Sequence, residues 1–110
     1  MHIFSHFCID TLFHILQTVN MTEWGTPKEI ETRRRIRLAI WAYAYEFHAH
    51  SIVPDVVFDV ESYQVNLRTE TDRLDLDYWF RANFEPCTGM WIHQHPDLKR
   101  IGEIYREFYT

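Results

Sequence analysis

At 110 residues the chain has enough material for a single hydrophobic core and too little for a catalytic domain beside a binding domain. Eleven Lys and Arg against 16 Asp and Glu leave a net charge of -5, which argues against nucleic-acid binding driven by phosphate neutralisation. Cys8 and Cys87 are the two cysteines; they build no disulfide framework, and free thiols in a reducing compartment such as the cytoplasm are the expectation.

Residues 1–20 carry no Lys or Arg and one acid, Asp10, whereas everything from Met21 onward is densely charged. They lack the basic start, unbroken apolar run and cleavage site of a secretory signal. Their length and interleaved His, Asp, Thr and Gln also exclude a membrane span. Two readings stand. Ile9, Leu12, Phe13, Leu16 and Val19 fall at helical spacing, which allows a short amphipathic helix from Asp10 to Val19. The alternative is a non-native extension upstream of a start at Met21.

Thr26-Pro27-Lys28-Glu29 is the clearest helix start: Thr26 caps, Pro27 suits the first helical position and Glu29 completes a capping box. Ile30, Ile36, Ile40, Ala44 and Phe47 then keep an apolar face, and a helix from Pro27 to about His48 would run roughly 33 Å. Its second half, Ala39 to Phe47, is apolar or aromatic nearly all round, so burial on more than one side is expected. Arg33, Arg34, Arg35 and Arg37 diverge by about 100° per residue and form a collar with no single fork. With Glu29 and Glu31 in helical reach, a solvated face is expected there, and nucleic-acid binding is not expected except through these four.

Ser51 to Pro54 turns the chain, and Pro54 opens a second helix with Val56, Val60, Tyr63 and Leu67 as its apolar positions. The short connection predicts antiparallel packing on the first helix. A strand from Ser51 to Val60 is the rival, because β-branched residues weaken the helix. Thr69 and Asp72 offer a second capping box ahead of a third helix, with Leu76, Trp79, Phe80 and Phe84 on one face. Pro86 and Gly89 end it. Met90 to His95 reads as a short extended segment anchored by Trp91 and Ile92, and Pro96 starts a last helix with Leu98, Ile101, Tyr105 and Phe108 inward. The expected fold is all-α: a compact four-helix domain over 21–110, built on an antiparallel helical hairpin, with an optional extra N-terminal helix.

At the hairpin turn, Asp55 and Asp59 stand four residues apart and share a helix face, with Phe58 beside them and Tyr43 and Tyr45 closing the first helix. Two rings and two carboxylates would line one notch. On structure alone, Asp55 is favoured at a helix N-terminus by the macrodipole, and both tyrosines serve as core rings with surface hydroxyls. The order Tyr45, ten residues on Asp55, then Phe58-Asp59 resembles the N-terminal nicotinamide-binding module, Ia, of bacterial NAD-dependent DNA ligases. The pattern of that family is Tyr-His or Tyr-Tyr, a short loop, then Asp-Ala-Glu-Tyr-Asp, and it aligns without a gap.

The likeness covers residues 33–67, and residues 33–109 are also similar to small phage-type proteins described as ligase-related. It implies a helical hairpin and a site for nicotinamide mononucleotide or NAD, with Tyr45 against the ring and Asp55 and Asp59 on its polar groups. Glu46 stands where the family has His or Tyr, and Phe58 where it has a tyrosine. Lys28 and Lys99 are the only lysines, and neither lies in the Lys-x-Asp-Gly nucleophile motif of the ligases. No Ser/His/Asp order, phosphate-cradling glycine loop or other catalytic set is present either.

His48, His50, Cys87, His93 and His95 are of zinc-ligand type but fit no paired motif; capping or solvent-facing histidines are expected, and no metal. Two functions follow. One is a non-catalytic ligase-related module that binds the nicotinamide mononucleotide part of NAD through Tyr45, Glu46, Asp55, Phe58 and Asp59. The other is a protein-interaction module that kept the fold without the ligand, acting in a host cytoplasm if the phage likeness carries over.

Overall fold

The computed structural model describes residues 23–110. The expectations for residues 1–20, the optional helix and Cys8 included, lie outside the described residues. Four α-helices follow one another: α1 (Pro27–His48), α2 (Asp55–Gln64), α3 (Leu74–Asn83) and α4 (Leu98–Tyr109), with a 3₁₀ turn at Met90–Gln94 between the last two. The fold is all-α, as the sequence predicts.

α1 starts where its cap sequence says. The Thr26 hydroxyl accepts from the Glu29 N–H at 3.2 Å, and the Glu29 carboxylate accepts from the Thr26 N–H at 2.8 Å, so two of the helix's orphan donors are satisfied reciprocally. It ends on Ala49 in the left-handed region, at φ 52 and ψ 34, whose N–H turns back onto the Ala44 and Tyr45 carbonyls. The chain then reverses. Gln64 and Glu61 of α2 bond Arg34, and Glu61 also bonds Arg37. Later residues of α2 thus lie beside earlier residues of α1, which is the antiparallel hairpin. The strand rival over Ser51 to Val60 loses because Phe58 and Val60 are fully buried from a helix, and burial of that size outweighs a propensity difference of a few tenths of a kcal/mol.

α1 is the spine that α2, the 3₁₀ turn and α4 all pack against. Leu38, Ala39 and Ala42 of α1 meet Phe58, Phe80, Trp91, Ile92 and Ile101 in one core. The approach of α4 depends on Gly102: a Cβ there would sit 2.7 Å from the Tyr43 hydroxyl. The alanines of α1 and this glycine let the helices close up.

Several inward faces differ from the sequence reading. Ile36 and Phe47 are exposed, while Glu31, Arg34 and Arg35 are buried; the inner face of α1 is half ionic, and an apolar-only periodicity cannot find it. Tyr63 and Phe108 are also exposed, and Trp79 is only half-buried beside the enclosed Phe80. Thr69 does not cap α3. Thr71 instead gives its N–H and hydroxyl to Asp77 inside the helix at 2.8 and 2.7 Å. The segment after Gly89 is a 3₁₀ turn and not extended, closed by Ile92 N–H to the Gly89 carbonyl and His95 N–H to the Ile92 carbonyl. Local bonding leaves Trp91 and Ile92 free to anchor in the core, as expected of those two residues.

Phe80→Ala should therefore cost more than Trp79→Ala. Removing the enclosed ring should destabilise by about 3 to 5 kcal/mol in denaturant unfolding, and the half-buried indole by less.

Candidate functional site

The five residues marked by the notch pattern separate into an outer and an inner group. Tyr45 is half-buried near the end of α1, and Asp55 is half-buried as the first residue of α2. Glu46 keeps 13% of its side-chain exposure and meets the His93 ring at 2.8 Å. Phe58 and Asp59 belong to the interior, at 0% and 1% exposure. The notch reading needs Asp59 at the surface, and it is not there. It is buried because every residue from Phe58 to Ser62 is enclosed where α2 lies on α1.

The arginine collar is likewise not a solvated face. Glu31 offers one carboxylate oxygen to Arg34 at 2.8 Å and the other to Arg35 at 2.9 Å. Arg34 continues to Glu61 at 3.2 Å, and Glu61 also holds the half-exposed Arg37 at 2.7 Å. Arg35 reaches Asp77 of α3 at 2.7 Å and donates to the Asn66 and Thr69 carbonyls at 2.8 and 3.1 Å. Three guanidinium groups thus balance three carboxylates. Arg33 is occupied as well, with Glu23 at 3.3 Å and its guanidinium over the Trp24 ring. All four arginines have partners within the chain.

A chain of rings, exposed in part, joins the ends of α1 and α4. Phe47 contacts His93 with centroids 4.8 Å apart and stacks on Tyr43 at 4.8 Å. Tyr43 leads to His48 at 5.5 Å, His48 stacks on Tyr105 at 4.7 Å, and Tyr105 stacks on Tyr109 at 6.3 Å. His50 joins from the side through a 2.8 Å hydrogen bond between its Nδ1 and the Tyr105 hydroxyl. Phe47, His48, His50, His93 and Tyr109 are exposed, whereas Tyr105 is buried and anchors the row. Sequence reading separated these residues into core aromatics and stray histidines. The signal that joins them is the pairing of the α1 C-terminal half with α4, which periodicity within one helix does not carry.

His95, once grouped with those histidines by residue type, sits apart. It is 7% exposed, packs against the Trp79 and Phe80 rings, and accepts the Asp97 N–H on Nδ1 at 2.9 Å. Burial pushes its pKa down to about 4. Asp77 is held below the usual carboxylate range: burial alone would raise it, but the Thr71 N–H and hydroxyl together with Arg35 outweigh that. Among the described residues no group of three or more His, Cys, Asp or Glu side chains converges as a metal site would. No helix among them is long and apolar enough to cross a membrane. No family model, curated protein or solved structure matches the chain.

The His95 shift has a definite sign. The folded state holds the ring neutral where the unfolded chain would protonate it, so its stabilisation is complete above pH 6.5 and is lost as pH falls toward 4. Between those limits unfolding free energy should fall by on the order of 2 to 3 kcal/mol on this residue's account. His95→Gln should flatten that part of the curve, measured by denaturant unfolding across pH. An unchanged slope would contradict the assignment.

Proposed function

We propose that the chain is a non-catalytic protein-interaction module, which keeps a hairpin resembling the ligase Ia module and presents the ring row at the joined ends of α1 and α4 to a protein partner. The carrying observation is the continuity of that row from His93 through Phe47, Tyr43, His48 and Tyr105 to Tyr109. Aromatic side chains give large contact area for few lost rotamers and are enriched in interface cores. Here the rings are also fixed in advance by one another, which lowers the ordering cost of association.

The nicotinamide reading keeps one observation in its favour. Tyr45 and Asp55, two of its residues, stay half-buried at the hairpin turn. Against it, Phe58 and Asp59 are enclosed, and Glu46 is engaged by His93. These placements support the interaction reading over the nucleotide one.

Both are tested on one labelled sample. Phe47→Asp combined with Tyr109→Asp should leave the thermal midpoint within about 4 °C of wild type, because both side chains are exposed, and should abolish capture of a partner from cell extract. Amide shifts produced by that purified partner should fall on residues 43–50, 93 and 105–109. Capture unaffected by the double variant would contradict the interaction reading. Saturable shifts at Tyr45 and Asp55 with millimolar nicotinamide mononucleotide or NAD would establish the nucleotide reading in its place.

A further inference from the structure

A second feature lies nearer the beginning of α1, away from the ring row. α1, α3 and α4 enclose a cleft of about 210 Å³ whose apolar walls are Ile36 and Ala39 from α1, Leu76 and Phe80 from α3, and Ile101 and Ile104 from α4. Its polar margin is small: His95 and Asp97 precede α4, Arg73 precedes α3, and Arg100 stands on the first turn of α4. A mostly apolar concavity with a few polar groups on one side is the usual form of a small-ligand site. The volume is below the roughly 300 to 1,000 Å³ of sites for drug-sized molecules, so it suits one ring or one branched chain.

We propose that this cleft binds a small organic carboxylate, with its apolar body against Phe80, Leu76 and Ile104 and its carboxylate at Arg100. The charged margin selects the sign of the ligand. Arg35, which also borders the cleft, is consumed by Glu31, Asp77 and two carbonyls. Arg73 is held by Asp75 at 2.8 Å and Asp97 at 2.9 Å, which also satisfies the one carboxylate on the margin. Arg100 is different. Its side chain is 68% exposed and its partner Glu103 stands 3.6 Å away and is itself 43% exposed, a pairing worth little in water. Its guanidinium can turn to a ligand carboxylate at small cost and engage it with two parallel N–H donors. His95 supplies a neutral donor: the Asp97 N–H occupies Nδ1, so the ring proton resides on Nε2.

The site is independent of the ring row, which uses residues 43–48 of α1 and 105–109 of α4, while the cleft uses residues 32–39 of α1 and 100–104 of α4.

The test uses the full chain with ¹³C-labelled isoleucine methyls and two probes, 3-phenylpropionate and its neutral amide. Both should shift Ile36, Ile101 and Ile104 saturably at millimolar concentration, the carboxylate more tightly. Arg100→Gln, at an exposed position, should weaken the carboxylate by about threefold, the scale of an exposed ion pair, and leave the amide unchanged. Ile104→Trp should block both probes by filling the cleft; Ile36→Trp, at a half-exposed rim position, closes the mouth without touching the core and should do the same. The proposal is overturned if neither probe moves these methyls, if binding survives both tryptophan variants, or if Arg100→Gln leaves the carboxylate affinity as it was. Methyl shifts that follow protein concentration and not probe would assign the cleft to a second copy of the chain, and would also overturn it.

Discussion

Arg35 is the side chain on which the arrangement of this domain depends. From the middle of α1 it holds Glu31 one turn back, Asp77 on α3, and the Asn66 and Thr69 carbonyls of the α2–α3 connection. That connection has no helix or strand of its own, so its part-buried Asn66 and Thr69 carbonyls take a donor from elsewhere. The guanidinium provides one and fixes the path of the chain into α3. Arg34 does the equivalent for α2 through Glu61 and Gln64. Taking such charges out of water is costly, and their mutual attraction repays it only when every group is matched. The matching here explains why a chain of this size spends so much interior on ions: the network specifies which helix lies where, while the apolar core around Leu38, Phe58, Phe80 and Ile92 supplies the driving force.

The same burial shapes the functional reading. A hairpin resembling the ligase Ia module would offer its second-helix aromatic and acid to a nucleotide. In this chain Phe58 lies in the core and Asp59 is enclosed beside it. One partly exposed aromatic surface lies at the C-terminal ends of α1 and α4, where Gly102 brings the helices close enough for Tyr43 and Tyr105 to stack their neighbours into one row. Helix packing, and not a local motif, builds the surface on which the interaction proposal rests.

Much of the fold was legible in the chain. The capping box at Thr26, the turn before Pro54 and the final amphipathic helix are local signals, and each gave an element of the right type near the right place. What stayed hidden was tertiary. Glu31 at three and four residues from Arg34 and Arg35 was visible as a pair of surface ion pairs, but nothing local says that Glu61 and Asp77 close over them from two other helices. Asp77 carries no local signal of its role, yet it is buried and takes three hydrogen bonds. The half-ionic inner face of α1 also explains why Ile36 is turned outward against the apolar pattern. The candidate site shows the same limit, since Tyr45 and Asp55 could be placed at the turn from sequence, whereas the enclosure of Asp59 depends on how α2 settles on α1.

The Arg35 to Asp77 contact joins α1 and α3 as a buried, matched ion pair. A double-mutant cycle with Arg35→Met and Asp77→Leu, read by denaturant unfolding, measures it directly. Each single change leaves a buried charge short of its partner across the α1–α3 contact and should cost about 3 to 5 kcal/mol. The double variant should recover part of that loss, giving a coupling of roughly 2 to 3 kcal/mol. A coupling below about 1 kcal/mol, the value of an exposed pair, would show that the contact does not join the helices and place the organisation of the fold in its apolar core alone.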